Sequence, residues 1–352
     1  MIDKVALNKM MDALMLRYWG IFSIDDIYIK SIKAANYFDV PNSILNTEKA
    51  DCCAGNDRTV LAIAVPYALE GDLQPIHNNL AKVEAFGWDF DYHVQIKEIL
   101  KQVKSGLESL CGHTLENVTI CVDTSPYSDR EVGFYAGLGR VGYNHLLIHE
   151  HLGSNFFIGY LVVHQKLSIE PTLLIRPEDL PKDIVHPYCK TCGRCTRACP
   201  SSVCGLKTVD MRLCLSAQTQ SKDMIDESMR HAMHNRLYGC SICQIVCPLN
   251  HNVTAHQLLT LKTSNWLDAL ILLEMTNKDF KKLYGHMGFT WRPLWIYKRN
   301  ALIVLGNVGD QVAYDGLLSL PHIQEDERLA EYYRWALNRL KNRSDEQFET
   351  FV

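Results

Sequence analysis

The chain has 352 residues, of which 47% are hydrophobic, and a formal net charge of −4 at pH 7. This length predicts two or three domains, and the hydrophobic fraction is enough for a sizeable core. A charge so close to neutral excludes nucleic-acid binding through overall charge, which leaves only a local basic face for that role. The sequence has no apolar run of about eighteen residues, so no membrane span is expected.

The N-terminal segment, MIDKVALNKMMDALMLRYWG, spreads charged and polar side chains through an apolar pattern. It predicts an amphipathic helix and not a secretion signal, because a signal needs a continuous apolar segment. The chain has 13 cysteines, an odd number, and most of them lie in one short region at the spacing of metal ligands. Metal binding in the cytosol is therefore favoured over a disulfide framework.

Residues 1–178 mix strand and helix patterns, which predicts an α/β domain. Residues 60–65 (VLAIAV) form an apolar run that ends at Pro66, as a buried strand does. Residues 91–110 place their apolar side chains on one broad face, which is typical of a helix. Residues 120–122 and 156–163 are rich in β-branched and aromatic side chains and predict further strands.

A connector with two prolines leads into the cysteine-rich segment, and from about residue 256 the pattern becomes helical. Residues 298–308 and 327–340 carry apolar residues at helical spacing, with a Gly309-Asp310 turn before the second. These two helices fit a helical-repeat pair, although a pair is too few to establish a repeat. The predicted domains are residues 1–178, 179–255 and 256–352.

Four cysteines form the pattern C-x2-C-x2-C-x3-C-P. This is the spacing of bacterial ferredoxins, in which the first three thiolates hold one [4Fe–4S] cluster and the fourth reaches the other cluster. The short spacers allow a tight loop to wrap three corners of a cluster, and the proline then turns the chain away. The residues of the pattern are Cys189, Cys192, Cys195, Cys199 and Pro200.

A second set of cysteines ends in Cys247-Pro248 and begins with Cys214, which lies well upstream. No short motif fixes Cys214, so Cys204 competes with it as a ligand. The crossover of ferredoxins predicts two ligand sets. They are Cys189, Cys192, Cys195 and Cys247 for cluster one, and Cys199, Cys214, Cys240 and Cys243 for cluster two.

A structural zinc site is the alternative, because C-x2-C pairs also bind zinc. Four cysteines in one run, with a Cys-Pro end in both halves, are too many for one zinc ion, so iron–sulfur clusters are favoured. The remaining cysteines are interpreted as small buried hydrophobic side chains. They are Cys52, Cys53, Cys111 and Cys121.

An electron relay of two clusters needs an acceptor, and motifs of the α/β domain indicate its nature. Val122-Asp123-Thr124-Ser125-Pro126, followed by Asp129-Arg130, resembles epoxyqueuosine reductase. The resemblance covers most of the chain and is strongest over about residues 120–310. Further motifs that fit the family are Asp91-Tyr92-His93, Ala136-Gly137-Leu138-Gly139, Gly142-Tyr143-Asn144, Gly153-Ser154-Asn155-Phe156-Phe157, Asn235-Arg236-Leu237-Tyr238-Gly239-Cys240, Arg299-Asn300-Ala301-Leu302 and Leu305-Gly306-Asn307.

The resemblance implies a cytoplasmic, cobalamin-dependent oxidoreductase with two [4Fe–4S] clusters. It implies reduction of epoxyqueuosine to queuosine in the tRNA anticodon loop, with electrons passing from an external donor through both clusters to cobalamin. The implied architecture is an α/β cobalamin-binding domain like that of reductive dehalogenases, a bacterial ferredoxin-like dicluster domain, and C-terminal all-α, HEAT-like helices that help to hold tRNA.

The aspartate of the family's Val-Asp-Thr motif falls on Asp123, so the resemblance implies that Asp123 is the proton donor. An acid is needed because the epoxide oxygen must be protonated as it leaves. Considered alone, Asp123 would be interpreted as a turn residue after a strand, because Asp-Thr-Ser-Pro is rich in turn formers.

The two glycine elements are predicted to contact cobalamin, because glycine lets the backbone approach a flat ring closely. Their alternative interpretation is as plain turn glycines. His93 is interpreted as a structural or pocket residue, and His145, His149 and His151 as surface residues. The predicted cobalamin contacts are Gly137, Leu138, Gly139, Gly142, Tyr143 and Asn144.

Several positions depart from the family pattern. Residues 82–88 (KVEAFGW) stand where the family usually has an Arg-Tyr run. In the second glycine element, Tyr143 stands where the family has a lysine, and Arg140-Val141 stands where it has the tryptophan that neighbours this lysine. These positions lie in the domain expected to contact cofactor and substrate. A divergent corrinoid enzyme acting on a small molecule, like a reductive dehalogenase, is therefore one alternative. The other is a two-cluster electron carrier, although a bare carrier does not need the large α/β domain.

Basic residues and tryptophans alternate in the C-terminal part, which predicts a face that grips phosphate and stacks on bases. The alternative is a solvated helix face with the tryptophans in the core. The residues are Lys278, Lys281, Lys282, Arg292, Lys298 and Arg299, with Trp291 and Trp295.

Overall fold

The computed structural model describes residues 1–24, 57–67, 77–88, 90–123, 125, 127–205, 210–251 and 265–349, which form a mixed α/β structure. The strands are β1 (Trp19–Ile24), β2 (Arg58–Pro66), β3 (Leu80–Val83), β4 (Val118–Cys121), β5 (Arg140–Val141), β6 (Leu147–Ile148), β7 (Phe156–Val163), β8 (Arg236–Tyr238) and β9 (Trp266–Asp268). The helices are α1 (Lys4–Ala13), α2 (Tyr92–Cys111), α3 (Asp129–Tyr135), α4 (Cys189–Cys192), α5 (Arg194–Ala198), α6 (Leu215–Gln218), α7 (Glu227–Met233), α8 (Ile242–Ile245), α9 (Ala269–Glu274), α10 (Asn277–Tyr284), α11 (Leu294–Val308), α12 (Gln311–Leu318) and α13 (Glu327–Glu349).

The main sheet has the strand order β1-β2-β7-β4, and all of its neighbouring strands are antiparallel. The central strand β2 is buried along its whole length because helices cover both of its faces. Leu61 and Ile63 pack in one core with α2, and Val60 and Ala62 pack in another with α3. The strands predicted at 60–65 and 156–163 are confirmed, and the one predicted at 120–122 overlaps the end of β4, which stops at Cys121.

The helix predicted at 91–110 is α2. The Asp91 carboxylate caps it by accepting a hydrogen bond from the His93 N–H at 2.9 Å, and Gly112 ends it in the left-handed conformation. The N-terminal helix is confirmed but shorter than predicted, because α1 ends at Ala13 and the chain then enters β1. The sequence did not predict β1, which pairs along one edge of β2.

A second sheet has the order β8-β3-β9, with β3 parallel to β8 and antiparallel to β9. Its strands come from before, within and after the cysteine-rich segment, so the sheet ties these parts of the chain together. The domain boundary predicted near residue 255 lies outside the described residues, as do Cys52 and Cys53. The three domain ranges stay a prediction.

The C-terminal part is helical, as predicted, and α11 packs against α13. The predicted Gly309-Asp310 turn is present, and the Asp310 carboxylate caps α12, which lies between the two predicted helices. Helix α11 is buried on nearly all sides, with Arg299 and Asn300 fully buried. Within the described ranges, no helix has both the length and the apolar character needed to cross a bilayer.

Candidate functional site

The four cysteines predicted to hold cluster one line a single cavity of about 310 Å³, measured with its opening to solvent. Cys247 comes from a distant part of the chain but lies among the other three thiols. Burial, followed by the thiols of Cys189, Cys195 and Cys192, raises the pKa of Cys247. The convergence of four thiols on one cavity fits a cubane with four cysteine ligands.

Local backbone geometry explains why these cysteines converge. Cys189 and Cys192 lie on the single turn α4, and Gly193 then adopts φ +60° before α5 begins. This left-handed conformation favours glycine and reverses the chain between the two cysteine turns. Cys247 lies at the start of the short helical turn Pro248–Asn250, where the following proline has the φ value that a helix start requires.

A second and larger cavity has about 1550 Å³ of unfilled space, including its open mouth. All four cysteines predicted for cluster two lie in its wall. Cys214 is the N-terminal cap residue of α6. Cys240 follows Gly239, which has φ +80° and lies so close to Phe86 and Glu84 that a Cβ would have no space. The wall cysteines are Cys199, Cys214, Cys240 and Cys243.

Cys204 lies in the wall of the same cavity and is 5% exposed. Its thiol lies beside the thiols of Cys195, predicted for cluster one, and Cys243, predicted for cluster two. The thiol of Cys214 lies near Cys240 instead. Cys204 is therefore located between the two predicted ligand sets, whereas Cys214 faces the second set.

The Gly153-Ser154-Asn155 motif joins the cysteine-rich segment to the α/β sheet. The Asn250 Oδ1 atom accepts a hydrogen bond from the Ser154 N–H at 2.7 Å, and the backbone of Gly153 approaches Asn250 so closely that a Cβ has no space. The buried Gln244 side chain donates to the Tyr67 hydroxyl at 2.9 Å and to the Ser154 carbonyl at 3.0 Å. The sequence analysis did not single out Gln244, and only the long-range packing shows this role.

Asp123 lies in the wall of the large cavity, together with the cluster-two cysteines. Its backbone has φ +53°, a left-handed conformation that is uncommon for a non-glycine residue and often found at functional positions. The Tyr92 hydroxyl donates a hydrogen bond to the Asp123 Oδ2 atom, and the His93 Nε2 atom lies 3.6 Å from it. The Asp91-Tyr92-His93 motif therefore positions the side chain that the resemblance identifies as the acid.

Asp129 is a second carboxyl group at this point, and its partner Tyr160 is buried. Burial, followed by a hydrogen bond with Asp123 and the charge of that carboxylate, raises the pKa of Asp129 to about 8. The hydroxyl of Tyr160, on β7, donates to the Asp129 Oδ1 atom at 2.9 Å and lies 2.6 Å from the Ser125 hydroxyl. Asp123 and Asp129 thus form a carboxyl pair that holds a proton near neutral pH.

The structure places only some of the predicted cobalamin contacts at the two cavities described above. Leu138 is buried in the core beside α3. The Ile148 backbone lies so close to Gly139 that a Cβ there would have no space. Gly137, Leu138 and Gly139 line neither of these two cavities, whereas Tyr143 lines the cluster-one cavity. Asn144 lines both cavities. Asn144 is therefore the member of this set that faces the large cavity, and the cobalamin contacts stay a prediction.

Two predictions about exposed side chains are wrong. His145 is half-buried and lines the large cavity, where burial lowers its pKa, and its carbonyl accepts a hydrogen bond from Arg130 at 2.7 Å. His149 is also half-buried, in an edge contact with Tyr18, and only His151 of the three is exposed. Cys121 is buried as expected, and Cys111 is partly buried.

The predicted basic face is only partly present. Lys278, Lys281 and Lys282 are exposed on α10, but Arg299 is fully buried and cannot reach a phosphate. Its guanidinium donates to the carbonyls of Ser221 at 2.8 Å, Asp223 at 3.2 Å and Gln218 at 3.2 Å. The two tryptophans differ, since Trp291 is 58% exposed and Trp295 is half-buried.

Comparison with known proteins identifies the cysteine-rich segment. Residues 188–250 match the family described as 4Fe-4S double cluster binding domain. This match confirms the predicted iron–sulfur clusters and disfavours the zinc alternative. It covers all eight predicted ligands and Cys204.

Whole-chain relatives cover most of the protein. The chain is 31% identical over 292 residues to the epoxyqueuosine reductase of Lactococcus garvieae, which covers 81% of this chain and 79% of that protein. It is 32% identical over 300 residues to the epoxyqueuosine reductase of Listeria monocytogenes, and this match covers 82% of this chain and 75% of that protein.

Solved structures agree with this assignment. The structure of epoxyqueuosine reductase from Streptococcus thermophilus matches with a TM-score of 0.75 at 28% identity, over 96% of this chain and 90% of that one. A crystal structure of epoxyqueuosine reductase with an epoxyqueuosine-modified tRNA-Tyr stem loop shares the fold, with a TM-score of 0.74 at 22% identity over 96% and 90% of the two chains. On the sequence identity and coverage of its relatives, this chain belongs to the epoxyqueuosine reductase family of oxidoreductases.

Proposed function

We propose that this chain reduces epoxyqueuosine to queuosine in the anticodon loop of tRNA. The reaction removes the epoxide oxygen as water and consumes two electrons and two protons. Electrons from an external donor reach the large cavity through the two cysteine-held clusters. The observation that carries the proposal is that Asp123 lines the same cavity as the cluster-two cysteines, so a proton donor and an electron source face one space.

The wall of the large cavity fits cobalamin. Tyr92 and Phe157 stack at 3.9 Å between ring centroids, and both line the cavity wall. The Nδ2 atom of Asn144 is buried and has no hydrogen-bond partner among the described residues, so an acceptor oxygen of a bound cofactor would satisfy it. When bound, cobalamin supplies a low-valent cobalt that donates electrons to the epoxide. The residues proposed to hold it are Asn144, Tyr92, Phe157 and Arg130.

Asp123 is proposed to protonate the oxygen as it leaves. The Tyr92 hydroxyl and the His93 ring fix the carboxyl at the cavity wall. Asp129 shares a proton with Asp123 and lies behind it, so the pair replaces the proton that Asp123 delivers. General acid catalysis of this kind contributes roughly 10²–10⁴-fold to a rate.

The finer architecture belongs to the same proposal. Residues 1–178 form a cobalamin- and substrate-binding α/β domain of the reductive-dehalogenase type, residues 179–255 a ferredoxin-like dicluster domain, and residues 256–352 a HEAT-like helical domain. The exposed lysines of α10 support tRNA as the partner, because phosphate contacts dominate the affinity of proteins for RNA. A relative was crystallised with a tRNA stem loop that carries the epoxide, which supports the same partner.

Turnover of the modified RNA tests the proposal. Anaerobically purified protein with about eight irons per chain and added cobalamin is incubated with reductant and tRNA that contains epoxyqueuosine. Mass spectrometry of the nucleosides is expected to show queuosine. Protein that holds both clusters and shows a corrin absorption band, yet makes no queuosine, contradicts the proposal and points to a small-molecule substrate.

The Asp123–Asp129 pair predicts a pH dependence. Because the pKa of Asp129 is raised from 3.8 to about 8 in the folded protein, the pair keeps its proton below about pH 8 and loses it above. Single-turnover rates of pre-reduced enzyme are therefore expected to fall as the pH rises through about 8. In Asp129→Asn this fall in rate should be absent, and the rate below pH 8 should be lower than that of the wild type. A wild-type rate that stays flat through pH 8 contradicts the assigned proton store.

Iron analysis distinguishes Cys214 from Cys204. Cys214→Ser is expected to lower bound iron from about eight toward about four per chain, because cluster two loses a ligand. Cys204→Val should keep about eight irons, since Cys204 lies between the two ligand sets. The reverse result, with iron lost only in Cys204→Val, assigns the ligand to Cys204.

A further inference from the structure

Trp291 is an exposed aromatic side chain at the mouth of the large cavity. It ends the turn Gly288–Trp291, and 58% of it is accessible to solvent. Its indole N–H donates to the Gln220 Oε1 atom at 3.1 Å and lies beside the Tyr238 hydroxyl. Gln220 and Tyr238 both line the cavity that contains Asp123. The polar edge of the indole is thus bound to the cavity wall while the ring remains exposed.

The structure holds this ring rigidly. The Tyr297 hydroxyl donates to the Phe289 carbonyl and accepts from the Arg292 N–H, which fixes the turn on both sides of Trp291. The loop that carries Gln220 is held by the buried Arg299, which donates to carbonyls on both sides of Gln220. A ring fixed in this way loses little conformational entropy when a partner stacks on it.

The charge beside Trp291 is positive. The Arg292 guanidinium stacks over the indole at 3.8 Å from its centroid. An aromatic ring with a guanidinium stacked on it suits a flat base on a negatively charged backbone, and proteins hold single-stranded nucleic acid in this way. A small neutral substrate would gain nothing from this cation.

We infer that Trp291 is a stacking platform for a nucleobase that neighbours the substrate nucleotide in the anticodon loop. The inference rests on the proposed function, because it names how the RNA is held at the cavity. Trp291 is a positioning residue that acts on binding and takes no part in proton or electron transfer. Its loss should raise KM much more than it lowers kcat.

Binding of stem-loop RNA tests the platform. The probes are an anticodon stem loop that carries epoxyqueuosine and two copies of it with an abasic site on one or the other side of the modified nucleotide. Trp291→Ala is expected to bind the intact stem loop about 10- to 100-fold more weakly than the wild type, which is the range of base–aromatic stacking. Trp291→Phe should keep most of the affinity. One of the two abasic stem loops should bind the wild type more weakly by a similar factor, because it lacks the base that stacks on Trp291. The affinity for this stem loop should fall little further in Trp291→Ala, because both changes remove the same contact.

Leu283→Ala is the matched control, because Leu283 is 51% exposed on the basic helix α10 and lies outside the cavity lining. This variant should bind every probe like the wild type, and all variants should contain about eight irons. If Trp291→Ala binds the intact stem loop like the wild type, or loses affinity for all three probes equally, the inference that Trp291 is a stacking platform is wrong while the proposed function stands. If the wild type binds no stem loop, the proposed function itself fails.

Discussion

Asp123→Asn is expected to lower kcat by roughly 10²–10⁴-fold, the usual contribution of a general acid. Asparagine keeps the shape of the side chain and can still accept a hydrogen bond from Tyr92, but it has no proton to give to the leaving oxygen. The affinity for the modified stem loop should change little, since Asp123 acts on the reacting bond. Steady-state turnover and stem-loop binding, measured on the same cluster-loaded protein, test both statements.

Two control variants sharpen this test. Tyr92→Phe removes the hydrogen bond to Asp123 but leaves the acid, so a smaller loss of kcat is expected. Asp12→Asn changes an exposed carboxylate on α1 and should be neutral. Asp123→Asn turnover within a few-fold of the wild type would remove Asp123 from the role of acid, and Asp129 would then be the group to examine.

Arg299→Leu is expected to destabilise the fold by at least about 3 kcal/mol. The buried guanidinium donates to three carbonyls in the 218–223 loop. Each buried acceptor that loses its donor costs about 1–3 kcal/mol. For a chain of this size, 3 kcal/mol corresponds to a fall in Tm of roughly 4 °C. Thermal unfolding under anaerobic conditions, followed by circular dichroism, measures it.

Arg334→Leu is the matched control for this prediction. Arg334 is exposed on α13, so the same substitution should change the stability by no more than about 0.5 kcal/mol. Because the 218–223 loop carries Gln220, Arg299→Leu should also weaken stem-loop binding at temperatures where the protein is still folded. Equal melting temperatures for Arg299→Leu and the wild type would contradict the structural role of Arg299.

The surface interpretation of Arg299 shows where sequence patterns stop being informative. A basic side chain near other basic side chains predicts a charged face, and the helical period of an amphipathic helix would reveal a buried side. Helix α11 is buried on nearly all sides, so its sequence has no polar face that marks the solvent. Only the packing of the 218–223 loop on α11 shows that Arg299 and Asn300 satisfy carbonyls of a distant segment.

The acid site shows the same difference between what local sequence patterns predict and what long-range packing decides. The family resemblance of the surrounding motifs singles out Asp123 as the acid, but nothing in the local sequence predicts that Asp129 shares its proton. That pairing depends on Tyr160 of β7, which lies 31 residues from Asp129 and binds it across the fold. The glycine elements stay a prediction for a related reason, since a glycine that permits close approach does not indicate what approaches it.

The sequence by itself determined the cysteine ligand runs, the buried strands at 60–65 and 156–163, the helix α2 and the family. These features depend on residues a few positions apart, where the chain's own geometry makes sequence neighbours spatial neighbours. The tertiary structure alone decided that Asp123 and the cluster-two cysteines share a cavity, and that Arg299 is buried and Trp291 exposed. Each of these depends on how distant segments pack, and the burial of a side chain is a property of what covers it.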